Sequence, residues 1–119
     1  MLNLDTHILV HALGGDINPH ERKLLAENSW GISAIVFWEL SKLVQLGRIS
    51  LDFEDPEVQA VLSCVHVWPL DLEISRLSTQ LDFSGDPADE IIAATSVFYR
   101  TPLVTRDRRI LLSKVVPFP

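Results

Sequence analysis

The chain is 119 residues long, with 47% hydrophobic and 22% charged residues and a formal net charge of −6. That length fits one domain, spanning 1–119 and able to bury about two-thirds of its unfolded surface, and the composition excludes a disordered chain. The longest apolar stretch, Ala34 to Trp38, is far short of a transmembrane span, and Asp5 interrupts the opening run, so neither membrane insertion nor a signal peptide is expected and the expected location is the cytoplasm.

From the amino terminus, Leu2-Asn3-Leu4-Asp5 reads as a short apolar strand ending in an acid, followed by a helix at 6–13. Gly14-Gly15-Asp16 and Asn18-Pro19 punctuate the connection to a second helix at 18–27. A strand at 30–33 then runs into a helix at 34–46. At about 100° per residue, Ile35, Val36, Leu43 and Leu46 lie within about 60° of Glu39, which places a carboxylate on the apolar face. Helices at 55–64 and 71–81 flank a strand at 66–69. The best-marked helix, 86–99, opens on Asp86 as N-cap with Pro87 at its first position. A strand at 103–105 and a short helix at 107–112 follow, and Val115-Val116 offers a last strand before Pro117. Strands alternating with helices predict an α/β fold of three layers, α/β/α, around a central, mostly parallel sheet.

Four carboxylates fall where such a fold can gather them. Asp5 and Asp107 each end a short apolar strand, and open α/β sheets bind ligands at the carboxyl ends of their strands. Asp89 lies in the first turn of its helix, in line with small Ala93 and Ser96, a face that leaves room for something besides side chains. Glu39 shares an apolar stripe, and a buried charge is rarely left unpaired. Together they point to a site for a hard cation. Each also has a structural alternative: Asp5 and Asp107 as helix caps, Asp89 as an acid favoured by the helix dipole, Glu39 as half of a buried ion pair. Asp86 is a fifth acid nearby, read as a cap or a support to the ligands. The hydroxyls of Thr6 and Thr105 adjoin proposed ligands and are placed to orient them.

Other residues narrow the chemistry. A lone cysteine, Cys64, excludes an internal disulfide and a cysteine-ligated zinc site, and it is expected to be a buried thiol. His7 and His11 have i, i+4 spacing but lack the intervening Glu of a zincin helix, so they are expected on the helix surface or a cleft wall. The acidic balance opposes a nucleic-acid partner at first sight. Its distribution does not, because Ile49 to Glu90 holds ten acids against Arg76, whereas Ile91 to Pro119 holds five bases against Asp107. Arg106, Arg108 and Arg109 are candidate phosphate contacts beside the site. Of Trp30, Trp38 and Trp68, Trp38 projects away from most of its helix's apolar face and is expected to be partly exposed at a partner surface.

Leu4-Asp5-Thr6 with His11-Ala12-Leu13, Ser33-Ala34-Ile35 with Trp38-Glu39-Leu40, Gly85-Asp86-Pro87-Ala88-Asp89 running on to Thr95, and Pro102-Leu103-Val104-Thr105-Arg106-Asp107 occur in that order along the chain. In these motifs the sequence resembles the PIN-domain ribonucleases, and most closely the VapC-like toxins of type II toxin–antitoxin systems. The resemblance implies a Rossmann-like strand order. It also implies that Asp5, Glu39, Asp89 and Asp107 bind Mg²⁺ or Mn²⁺ and are catalytic, that RNA is cut, and that the partners are a cognate antitoxin and a second copy of the chain. Glu90 departs from the pattern, since many relatives carry Arg there. A housekeeping nuclease is the alternative of the same chemistry. A phosphoacceptor receiver domain wants paired acids after the first strand and a Lys after the last, which this chain lacks, and an inactive binding module would normally have lost one of the acids.

Overall fold

A computed structural model describes every residue from Met1 to Pro119. Its centre is a four-stranded, wholly parallel sheet in the order β3-β2-β1-β4, built from β1 (Leu2–Leu4), β2 (Trp30–Ser33), β3 (His66–Trp68) and β4 (Leu103–Val104). Successive strand residues point to opposite faces, so the burial of Leu2, Asn3 and Leu4 alike means that both faces of the central strand are covered. Asn3 turns to one face, where its amide nitrogen donates to the Ile92 carbonyl and to Ser96 Oγ on α6 (Pro87–Tyr99). Leu2 and Leu4 turn to the other, and both join a continuous core with Ile8, Leu9, Ile32, Val36 and Leu103.

The remaining helices are α1 (Thr6–Leu13), α2 (Pro19–Glu27), α3 (Ile35–Gln45), α4 (Pro56–Cys64), α5 (Leu72–Ser78) and α7 (Arg108–Leu111). Local chemistry starts several of them. Asn18 and Glu21 form a reciprocal capping box on α2, and Asp55 and Asp71 cap α4 and α5 through their side chains. The strand order places the topological switch between β1 and β4: the chain leaves β1 towards β2 and β3, then crosses back to β4. A crevice opens there at the strands' carboxyl ends, where Asp5 and Thr105-Arg106-Asp107 emerge.

Several expectations need correction. Val115-Val116 forms no strand, because Pro117 and Pro119 cannot donate to a ladder; instead Leu103 N–H donates to the Pro117 carbonyl, and Asp82 fastens Ser113 and Lys114. The helix expected to reach 81 stops at Ser78, where Ser78 and Thr79 hydroxyls turn back onto the carbonyls of Ser75 and Arg76. Leu46 leaves the apolar face of α3: it is the C-cap and is 60% exposed. Cys64 is exposed rather than buried. It sits about 200° around α4 from Leu62, the residue through which that helix meets the core.

Candidate active site

Asp5 is the pivot of the crevice. Leaving β1, it takes extended backbone angles and caps α1, its Oδ1 accepting the Thr6 N–H at 2.8 Å. Its Oδ2 accepts the Thr105 hydroxyl at 2.6 Å, which joins the ends of β1 and β4 across the switch point. Thr105 Oγ1 in turn accepts the Asp107 N–H at 3.0 Å, and Asp107 Oδ1 caps α7 by accepting the N–H groups of Arg109 and Ile110. Thr6, wholly buried, donates its hydroxyl to Glu39 Oε1 on α3. Each threonine expected beside a ligand therefore holds a carboxylate in place.

Asp5, Glu39, Asp86, Asp89 and Asp107 line one cavity of about 390 Å³, completed by His7, His11 and Arg106 and containing no hydrophobic residue. The expected capping role of Asp86 is not met: it occupies the N-cap position of α6 but makes no side-chain cap bond, and it faces this cavity instead. No three His, Cys, Asp or Glu side chains stand in metal-chelating geometry. The two threonine bonds and the α7 cap anchor Asp5, Glu39 and Asp107 separately, and like charges sharing one cavity repel.

That repulsion registers in their affinities for protons. Burial raises the Asp5 carboxyl above its ordinary range, against the lowering effect of the bonds from Thr105 and Thr6. Burial likewise raises Glu39, with Asp5 and Asp86 adding repulsion and Thr6 opposing it. Asp89 is pushed up to about 7, first by burial and then by Asp5, Glu39, Asp107 and Asp86. An all-oxygen set of carboxylates short of positive charge suits a hard divalent cation such as Mg²⁺ or Mn²⁺, and suits zinc or copper poorly.

The arginines part company. The Arg106 fork grips Glu21, Nε to Oε2 at 2.8 Å and Nη2 to Oε1 at 2.7 Å, and Nη2 also reaches the Asp16 carbonyl at 3.2 Å. Arg109 Nη1 donates to the Ser84 carbonyl and ties α7 to the loop before α6, while Arg108 is exposed and enters no ion pair. Sequence reasoning missed two supporting residues. Glu21 is 85 positions from Arg106, and nothing local marks the pair. Asn3 is a polar residue inside an apolar strand, a signal that was available; it clamps β1 to α6 and so sets Asp5 against Asp89.

No curated protein matches the chain. Among solved structures, it is similar to a chain of a toxin–antitoxin complex from Klebsiella pneumoniae, at 18% identity and a TM-score of 0.75, covering 100% of this chain and 97% of that one. It is also similar to a chain of FitAcB from Neisseria gonorrhoeae, at 23% identity and a TM-score of 0.73 with 100% and 97% covered. A chain of VapBC2 from Rickettsia felis, bound to a DNA fragment from its promoter, gives 20% identity and a TM-score of 0.70, with 100% and 98% covered. At these identities the likeness is one of fold. The sequence itself matches the PIN domain over residues 3–115, a span that takes in all but the first residue of β1, all of β4 and every carboxylate of the cavity, and the chain belongs to the PIN domain family.

Proposed function

We propose that this protein is a divalent-cation-dependent endoribonuclease and the toxin of a toxin–antitoxin pair. The observation that carries the nuclease reading is the cavity at the switch point, where five carboxylates gather, none of them in an ion pair with Lys or Arg, and three of them are held above their ordinary pKa. Asp5, Glu39, Asp89 and Asp107 would hold Mg²⁺ or Mn²⁺, and Asp86 stands beside them. When bound, such a cation supplies Lewis-acid stabilisation to phosphoryl oxygens and makes water a better nucleophile. The chain's own part is orientation. Thr6 N–H and the Thr105 hydroxyl fix both oxygens of Asp5, and the Thr6 hydroxyl fixes one oxygen of Glu39. Hydrolysis by water leaves a 5′-phosphate and a 3′-hydroxyl.

Three partners go with this reading: an RNA substrate, a cognate antitoxin and a second copy of the chain. The antitoxin is supported by the similar structures, one of them a toxin–antitoxin complex and another VapBC2 on promoter DNA. A protein-binding face is supported by Trp38, 55% exposed, which lines a cleft with Leu43, Leu46 and Pro87 that ends at Glu39 and Asp86. Arg108 and Arg109 are proposed to meet the RNA backbone outside the cavity.

Purified protein should cut RNA with Mg²⁺ or Mn²⁺ and stop in EDTA. Products ending in 2′,3′-cyclic phosphate would refute the mechanism, since they require attack by the 2′-hydroxyl. Expression alone should arrest growth, and co-expression of a protein encoded beside it should restore growth. An active nuclease that cells tolerate would instead mark a housekeeping enzyme.

A further inference from the structure

The carboxylates form most of the cavity wall but not all of it. The rest is His7 and His11, one turn apart on α1, and Arg106 after β4. An RNA strand brings a charge on every phosphate, and five acids repel it, so donors are needed at the same place. Arg106 is mostly committed: Nε and Nη2 are closed on both oxygens of Glu21, which is only 5% exposed, so only Nη1 is left to face the cavity, and turning the whole fork towards substrate would strand a buried carboxylate. Glu21 Oε1 also accepts the Asn18 N–H, which makes this pair part of the start of α2.

His7 is in the opposite situation. Its side chain is exposed and belongs to neither ion pair of the structure. It lies two residues beyond Asp5 on a helix that Asp5 itself caps, so the ring is carried at a set place relative to the pivotal acid. His11 is backed by Asp16, with Nδ1 3.4 Å from Asp16 Oδ2, which leaves Nε2 unengaged. The free His7 imidazole presents at least one N–H in either protonation state, on a short side chain with little freedom to lose, whereas His11, with Nδ1 facing Asp16, donates from Nε2 only as the imidazolium.

We propose that His7, with His11 on the next turn, contacts the RNA phosphates at the cleavage site, and that Arg106 is a positioning residue that holds α2 and the β4–α7 corner without touching substrate. The proposal rests on the nuclease reading above. It assigns substrate contact to two residues on α1 that a census of basic side chains overlooks.

The test separates binding from cleavage. Affinity for a short fluorescent RNA is measured by anisotropy in EDTA, and kcat and KM are measured with Mg²⁺, for wild type, His7→Ala, His7→Gln, His7→Ala/His11→Ala, Arg106→Ala and Glu21→Gln/Arg106→Gln. Losing a charge-assisted hydrogen bond should raise both Kd and KM by about tenfold in His7→Ala, with kcat changed far less. The His11 change should add to this, and His7→Gln, which keeps an N–H, should recover much of the loss. Arg106→Ala should lower the melting temperature and kcat while leaving Kd near wild type, and the paired Gln variant should restore both. Wild-type Kd and KM in His7→Ala/His11→Ala would overturn the proposal, as would a Kd that weakens with Arg106→Ala in a protein that melts normally. A wild type that binds RNA but never cuts it would refute the nuclease reading instead, and the Kd comparison would still decide the role of His7.

Discussion

Asp86 and Asp89 open the same helix with the same side chain, yet their surroundings set them different work. Asp86 is exposed and lends its charge to the cavity without capping, while Asp89 is half-buried and pushed up to about 7. Asp89→Asn should abolish cleavage. Asp86→Asn should lower the rate by a smaller factor and leave the cation-free melting temperature equal or slightly higher, because no cap bond is lost and one repelling charge is removed; a clear drop in its melting temperature would restore the capping role. The shift at Asp89 also fixes a pH dependence. Its folded pKa lies above the ordinary value of 3.8, so the folded state binds the extra proton between about 4 and 7. The contribution of Asp89 to stability in EDTA should therefore be greatest below that window and fall as pH rises through it. Melting temperatures of wild type and Asp89→Asn across this range should converge at the acid end and separate towards neutrality, with the Asn variant the more stable. Parallel curves would mean that Asp89 does not titrate there.

At the scale of elements, two backbone positions carry predictions. Arg100 ends α6 in the left-handed region, with φ 53° and ψ 42°, where a side chain crowds its own carbonyl and Gly is the usual residue. Arg100→Gly should stabilise the protein by about 1 kcal/mol, or about 4 °C in thermal melts. Gly31 in β2 shows the opposite constraint. A Cβ there would stand 2.5 Å from the Trp68 indole, which is 6% exposed and stacked on Tyr99 with centroids 5.7 Å apart. Packed between the His66 and Tyr99 rings, the indole must shift to admit the methyl, and Gly31→Ala should cost about 2 kcal/mol. A neutral result would show that the indole is free to shift. Elements whose signals lie within a few residues were legible in the sequence, as with the Pro87 start of α6 or the apolar runs of β1 and β4. The C-terminal path depends on partners distant in sequence, whereas the end of α5 and the exposure of Cys64 are local features that the apolar pattern alone does not mark. The acids were legible because each interrupts a pattern; Glu21 was not, since its meaning comes from Arg106 across the fold.

On the scale of the whole molecule, five of the 16 acids of a chain with net charge −6 meet where it closes on its switch point. Folding gathers these carboxylates against their repulsion, so the cation-free protein carries strain that a divalent cation relieves. Mg²⁺ should raise the wild-type melting temperature by an amount set by its concentration relative to its dissociation constant, and NaCl at equal ionic strength should do much less, because the acids are partly buried. The individual acids should not respond alike. Asp89→Asn removes a repelling charge and should raise the cation-free melting temperature. Asp5→Asn removes one too, but Asp5 accepts both the Thr6 N–H and the Thr105 hydroxyl, and Asn offers a single acceptor oxygen for two donors. Its cation-free melting temperature should therefore stay near wild type or fall slightly, as the lost bond offsets the relieved repulsion. Both variants should lose most of the Mg²⁺ response. Melts of the three proteins in EDTA, in Mg²⁺ and in matched NaCl would decide the matter: a full Mg²⁺ shift surviving in both variants would place the cation elsewhere, and the cavity at the switch point would then be only a cluster of acids.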